Sequence, residues 1–306
     1  MFNELFTKGG LSLDRLRAFC GVADAGGVTK AAGGRSTRQS QFSRQIKELE
    51  AFFGVELTQR RGKGIALSSA GLRLARIARG FFTTLEDFHR ECKNEPKEFS
   101  IGAGDALLQW LLFPRLAELH DSFPSVVFRV LSLPTMDISE RVSDFRLDFG
   151  LLRKDAISPL HNCEPLGTQT YSLFVPLKLI PDKKKPGWRQ VISDIPLATI
   201  AGDGVFRASL EKAATKEKLK LRLALSCSSF PQVAKALQSE RYAAILPTIA
   251  SAELDRERFT VVPAPFLASQ AREVCLIWNT RIADLRPMSM EVRERLTKLF
   301  RLSRAR

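Results

Sequence analysis

Near the amino terminus, apolar positions recur at helical spacing. Leu13, Leu16, Phe19, Val22 and Ala23 fall at steps of three and four and make one buried face of a helix over residues 12–24. Gly26-Gly27 stop that helix, residues 28–32 read as a short second one, and Gly33-Gly34 close it. A third helix spans residues 38–53, with Phe42, Ile46, Leu49 and Phe53 as its buried stripe. Thr37 or Ser36 is placed to cap its start, and Gly54 ends it. Residues 55–57 and 65–67 then flank Gln59-Arg60-Arg61-Gly62-Lys63-Gly64, the pattern of two short strands joined by a basic tip.

From Ser69 the period changes. Leu67, Gly71, Leu74, Ala78, Phe81, Leu85, Phe88 and Cys92 alternate steps of four and three, a heptad seam. A helix over residues 69–91 would be about 35 Å long. The seam expects two chains to pair through Leu74, Ala78, Phe81, Leu85 and Phe88. The alternative is a long helix packed on its own domain. A new domain follows Asn94-Glu95-Pro96.

The rest alternates strands and helices. Strands are expected over 99–103, 126–131, 147–152, 171–175, 197–200, 221–226, 243–246, 259–263 and 272–279. Helices are expected over 106–120, 135–144, 206–218, 230–239 and 288–303. This is α/β architecture with largely parallel sheets. Ligands in such sheets bind beyond the carboxyl ends of the strands, which selects Gly104, Asp105, Ser132, Thr135, Thr199, Ala201, Ser228, Ser229 and Thr248. Helix amino termini there favour an anion. Ser and Thr at these positions are equally ordinary helix caps. Asp105 would repel a carboxylate and can instead hold an amine or cap its helix.

Composition narrows the function. Lys plus Arg number 47 against 33 acidic residues, a formal charge of +14, which favours an anionic partner, nucleic acid or an anionic membrane face. No run approaches 18 apolar residues, and the first residues do not read as a secretory signal. The five cysteines, Cys20, Cys92, Cys163, Cys227 and Cys275, are scattered, which fits a reducing cytoplasm and gives no zinc or redox spacing. His89, His120 and His161 have no carboxylate or cysteine at ligand or triad spacing, so neither a metal, a cofactor nor an enzyme is expected. Double-stranded DNA is the favoured partner. Off the stripe of the third helix lie Arg38, Gln39, Ser40, Gln41, Ser43, Arg44 and Lys47, side chains that donate and accept at base edges. Arg60, Arg61 and Lys63 suit the phosphate backbone.

These residues resemble the LysR-type family of bacterial transcriptional regulators. The likeness runs without gaps through Leu16-Arg17-Ala18-Phe19, Ala31-Ala32, Gln39 and Ser43-Arg44-Gln45-Ile46-Lys47-Glu48-Leu49-Glu50. It continues through Phe53-Gly54-Val55-Glu56-Leu57, Arg60 and Leu67-Ser68-Ser69-Ala70-Gly71. The chain departs from the family at Arg35, usually apolar, at Ser40, usually proline, and at Thr58, usually phenylalanine. The resemblance implies a winged helix-turn-helix domain over residues 1–66 and a dimerising linker helix over 67–95. It implies a bilobal effector-binding domain over 96–306 of the periplasmic-binding-protein-like (type 2) kind. Its first lobe would hold 96–164 and 268–306, and its second 165–267. The implied assembly is a homodimer or homotetramer. The implied function is a cytoplasmic regulator that binds a roughly palindromic DNA site and is controlled by a small-molecule effector between the lobes. The rival reading is a small-molecule binding protein whose amino-terminal helices serve only for assembly.

Overall fold

The computed structural model describes residues 3–7, 9–61, 64–180, 187–201 and 205–302. They form two compact units: Met1–Lys97 with Ser143–Arg146 and Arg281–Pro287, and the remainder of the chain.

The first unit contains α1 (Asn3–Thr7), α2 (Leu13–Ala25), α3 (Val28–Ala32), α4 (Ser36–Phe53), the antiparallel pair β1 (Thr58–Arg61) and β2 (Gly64–Leu67), and α5 (Ser69–Cys92). Ser12 caps α2 by accepting the Arg15 N–H at 3.3 Å. The core joins Phe19 and Val22 of α2, Val28 of α3, Ile46 and Leu49 of α4, Leu57, and Ala75 of α5. α4 begins at Ser36, with Arg35 as its cap residue and no side-chain cap bond, so neither Ser36 nor Thr37 caps it. The buried stripe stops short of Phe53, which is exposed and packs edge-on against Phe52 with centroids 4.9 Å apart.

The hairpin is shifted from its expected register. The Glu50 carboxylate accepts the N–H groups of Leu57 at 2.8 Å and Thr58 at 3.1 Å, and also the Thr58 hydroxyl. Leu57 is thereby turned into the core, and strand pairing starts only at Thr58↔Leu67, ending at Arg61↔Gly64. Arg60 and Arg61 therefore lie on β1 rather than in a tip, and Lys63 lies outside the described residues. Gly71 locks the hairpin to α5: a Cβ there would sit 2.1 Å from the Leu57 carbonyl oxygen.

Two segments distant in sequence, Ser143–Arg146 and Arg281–Pro287, grip α5. Arg76 Nε donates to Asp144 at 2.7 Å, and Arg286 donates to both oxygens of Asp87 at 2.6 and 2.9 Å. Arg79 bridges Asp144 and Asp24 of α2. This packing sets which face of α5 stays open, and it differs from the expected seam. Ala78 is 2% exposed and Leu74 packs on the first-unit core. The open stripe is Ile77 (55% exposed), Phe81 (43%), Leu85 (40%) and Phe88 (65%).

The second unit is built on β3 (Lys97–Ala103), α6 (Asp105–Leu107), α7 (Leu116–Ser122), β4 (Val126–Ser132), α8 (Thr135–Ser143), β5 (Phe149–Arg153), β6 (His161–Gln169), β7 (Tyr171–Pro176), α9 (Trp188–Asp194), β8 (Leu197–Ile200), α10 (Val205–Lys216), β9 (Leu223–Cys227), α11 (Phe230–Gln238), β10 (Ala243–Pro247), β11 (Phe259–Val262) and β12 (Arg272–Asn279). After the short helix Ile282–Leu285 of the first unit, Met288–Leu299 forms the last helix. Two five-stranded sheets result, in the orders β4-β3-β5-β12-β6 and β11-β7-β10-β8-β9. They are mixed rather than largely parallel. β3 pairs parallel with β5, and β8 with β9 and β10. β7 and β12, the strands by which the chain enters the second sheet and returns to the first, run antiparallel to their neighbours. The chain changes sheets at Thr170, not near 164, because β6 belongs to the first sheet. β6 carries Pro165, tolerated because it is an edge strand. The helix expected over 106–120 is broken into α6, a π-turn at Leu108–Leu112, a 3-10 turn at Phe113–Arg115 and α7. Pro114 explains the break, since its ring clashes with the preceding turn and it donates no hydrogen bond.

Candidate nucleic-acid interface and ligand cleft

α4 presents Arg38, Gln39, Ser40, Gln41, Arg44 and Lys47 to solvent, with Ser43 half-buried beside them. The opposite side of the helix holds Ile46 and Leu49 in the core, which fixes the orientation of the polar face. Ser40 donates its hydroxyl to the Ser36 carbonyl at 3.1 Å. Ser40, Ser43, Arg44, Lys47, Glu48 and Ala51 line a shallow depression along the helix. Glu48 is the acidic member of this surface. It accepts from Arg44 Nε at 3.0 Å and from Arg15 Nε of α2, and these two hydrogen bonds hold its carboxyl below the usual range. Arg60 is exposed on the adjoining β1. The face therefore offers cationic, amide and hydroxyl groups, the chemistry that base edges and phosphates require.

In the second unit a cleft of about 400 Å³ opens between the two sheets' lobes. Its wall includes six of the expected positions: Gly104, Asp105, Ser132, Thr135, Ser228 and Ser229. Asp105 accepts from the Ser132 hydroxyl. Ser229, on the same wall, also caps α11 by accepting the Gln232 N–H. The remaining three expectations do not belong to this wall. Thr199 is fully buried within β8, and Ala201 lies past its end, bonded through its N–H to Cys227. Thr248 is tied to Thr170 and Ser172 by hydroxyl contacts of 2.9 Å, which pin the chain where it changes sheets.

Sequence reasoning passed over Arg153, Gln169, Tyr171, Ile200 and Phe230, which line the cleft. A second compartment shares Pro134, Thr135, Arg153 and Tyr171 and adds Phe206, Gln270 and Arg272. Arg272 reaches this rim because β12 runs antiparallel to β5, which puts its amino end beside the carboxyl end of β5. Tyr171, Phe206 and Phe230 form an apolar wall with centroids 4.5 to 5.7 Å apart. Burial pushes the Tyr171 hydroxyl up to about 12, opposed by the nearby Arg272 and Arg153 guanidinium groups. The hydroxyl stays neutral and accepts from Gln169 at 3.3 Å.

Known proteins share this fold. Residues 93–291, more than half of the chain, match the LysR substrate binding domain, and residues 13–72 match the bacterial regulatory helix-turn-helix protein of the lysR family. The chain belongs to the LysR family. The curated relatives that it resembles bear the names of transcriptional regulators. The Hca operon transcriptional activator HcaR of Escherichia coli K12 is 30% identical over 152 residues, 49% of this chain and 51% of that one. The transcriptional activator of a carbapenem-hydrolyzing beta-lactamase in Serratia marcescens is 32% identical over 129 residues, 41% of this chain and 44% of that one. The chain spans about half the length of the curated relatives it matches. A full-length OxyR variant from Pseudomonas aeruginosa shares the fold with a TM-score of 0.64 at 19% identity, over 95% of both chains. CbnR, solved with its target DNA, gives 0.52 at 17% identity over 94% of this chain and 99% of that one. Among the described residues no helix is long and apolar enough to cross a membrane.

Proposed function

We propose that this LysR-family chain is a cytoplasmic, sequence-specific DNA-binding transcriptional regulator without catalytic activity, controlled by a small molecule in the cleft. The observation that carries the reading is the polar face of α4, held outward by the burial of Ile46 and Leu49 and flanked by Arg60 on the hairpin. Arg38, Gln39, Ser40, Gln41, Ser43, Arg44 and Lys47 read and position the duplex, while Arg60, Arg61 and Lys63 contribute backbone affinity. The chain pairs through Ile77, Phe81, Leu85 and Phe88, giving a homodimer or homotetramer on a roughly palindromic site.

The effector is a small anion. Arg153 and Arg272 support this, joined by Thr135 and Ser229 at the starts of α8 and α11. A ligand that favours one lobe arrangement shifts DNA binding by the same coupling free energy that DNA exerts on ligand affinity. CbnR, which shares the fold, has been solved on its target DNA, and that likeness adds support. Enrichment of genomic fragments by the purified chain, followed by gel shifts across salt concentrations, tests the reading. Recurrent sequences bound less tightly as salt rises are expected. Binding without sequence preference, or without salt dependence, would leave the assembly-only role of the amino-terminal helices.

A further inference from the structure

We propose that Glu48 is a positioning residue for DNA readout: it holds the Arg44 guanidinium so that its terminal nitrogens meet a guanine edge and keeps that cation from swinging to the phosphates. The inference rests on the docking of α4 proposed above. It starts from an apparent misfit, a carboxylate on a surface otherwise suited to a polyanion. Glu48 lines the same depression as Ser40, Ser43, Arg44 and Lys47, so its charge opposes phosphate approach there.

The carboxylate is fixed from two sides. One oxygen accepts from Arg44 Nε at 3.0 Å, and the other from Arg15 Nε. Arg15 belongs to α2, so the carboxylate is tied to the helix pair and not only to a neighbour on its own helix. Arg15 and Glu48 are both largely shielded, whereas the Arg44 side chain is 82% exposed. The result is a graded arm: a braced base, a shared carboxylate and a free tip.

The atom that Arg44 commits decides the chemistry. Its bond to Glu48 uses Nε, and among the described residues its two Nη groups carry no hydrogen bond. Those two groups form the fork that pairs with guanine O6 and N7. An unrestrained arginine at this site would reach phosphates as readily as bases, raising affinity without adding discrimination. Holding Nε limits that freedom and favours the base.

The test uses the full chain. A duplex pool selected by the wild type gives the preferred site, and fluorescence anisotropy measures that site, its single-base variants and an unrelated duplex. R44A identifies the base pair that Arg44 reads, as the position whose preference collapses. E48A is expected to lower the preference at that same pair about tenfold, the scale of one bidentate contact, and leave other positions within about twofold. Affinity for the unrelated duplex should hold or rise, with a steeper salt dependence. E48Q, which keeps an acceptor oxygen without the charge, should fall between wild type and E48A. Full preference retained in E48A would overturn the proposal, as would an equal loss at every position, the signature of a structural role. A wild type that selects no sequence would instead show that the DNA-reading assignment itself fails, before any variant is compared.

Discussion

Replacing Phe81 by glutamate should separate the protomers while leaving each one folded. Fully burying a large apolar side chain contributes about 1.5–3 kcal/mol. Ile77, Phe81, Leu85 and Phe88 are 55%, 43%, 40% and 65% exposed, so covering what remains is worth roughly 1 kcal/mol for each. Two protomers together then gain about 8 kcal/mol, against several lost in rotational and translational freedom on association. A two-fold axis doubles the effect of Phe81→Glu. Two aromatic contacts disappear, and two carboxylates must lose water in an apolar seam, for a total of about 4 kcal/mol, or roughly a thousandfold in Kd. Sedimentation velocity over a concentration series reads this directly: wild type as a dimer or larger, the variant as a monomer, with little change in melting temperature. Ala78→Glu supplies the contrast. Ala78 is 2% exposed within its own unit, so the charge should unfold that unit rather than dissociate the assembly. A Phe81→Glu protein that sediments as wild type would refute the open stripe as the pairing surface.

Gly71→Ala should destabilise the first unit by about 3 kcal/mol, because backbone rather than a flexible side chain must give way to the new methyl, 2.1 Å from the Leu57 oxygen. Thermal melting checks it, and an unchanged melting temperature would mean the hairpin is not locked to α5. The His161 imidazole is buried, and burial lowers its pKa despite the 3.0 Å contact to the Ser139 carbonyl oxygen. The unfolded chain thus takes up a proton near pH ~6.5 that the folded chain refuses. Stability should be full above that pH and decline as pH falls toward the lowered folded value. A His161→Gln variant should show a flatter decline in melting temperature over the same range, and parallel curves would contradict the assignment.

Elements with a strong period were legible in the sequence. The helix over α4, the glycine stops and the strands of the second unit other than β6 follow from spacing alone, because burial of one face dictates where apolar residues recur. What was missed depends on partners distant in sequence. The α5 seam was traced through Leu74 and Ala78, yet contacts from Ser143–Arg146 and Arg281–Pro287 turn the open face toward Ile77. No local pattern announces those contacts. β6, with Pro165 and Gly167, has little strand character of its own and is held by pairing with β12. The hairpin register was decided by Glu50, seven residues before Leu57, through bonds that periodicity does not register. The cleft divides in the same way. Asp105, Ser132 and Ser229 follow from strand-end logic, while Arg153 lies one residue beyond the expected strand over 147–152 and carries no local signal of its own. Arg272 required knowing that β12 runs backward.

Regulation by this chain requires the polar face of α4 to meet duplex DNA. The most direct measurement is the salt dependence of affinity for the selected site, in wild type and in a chain carrying Arg38→Ala, Arg44→Ala and Lys47→Ala together. With Arg38 and Lys47 as phosphate contacts, each contributing about 0.9 to the slope of log K against log salt, and Arg44 lost as a base contact, the triple variant should bind more weakly with a slope shallower by roughly 2. Equal slopes and affinities would show that this face does not touch the duplex.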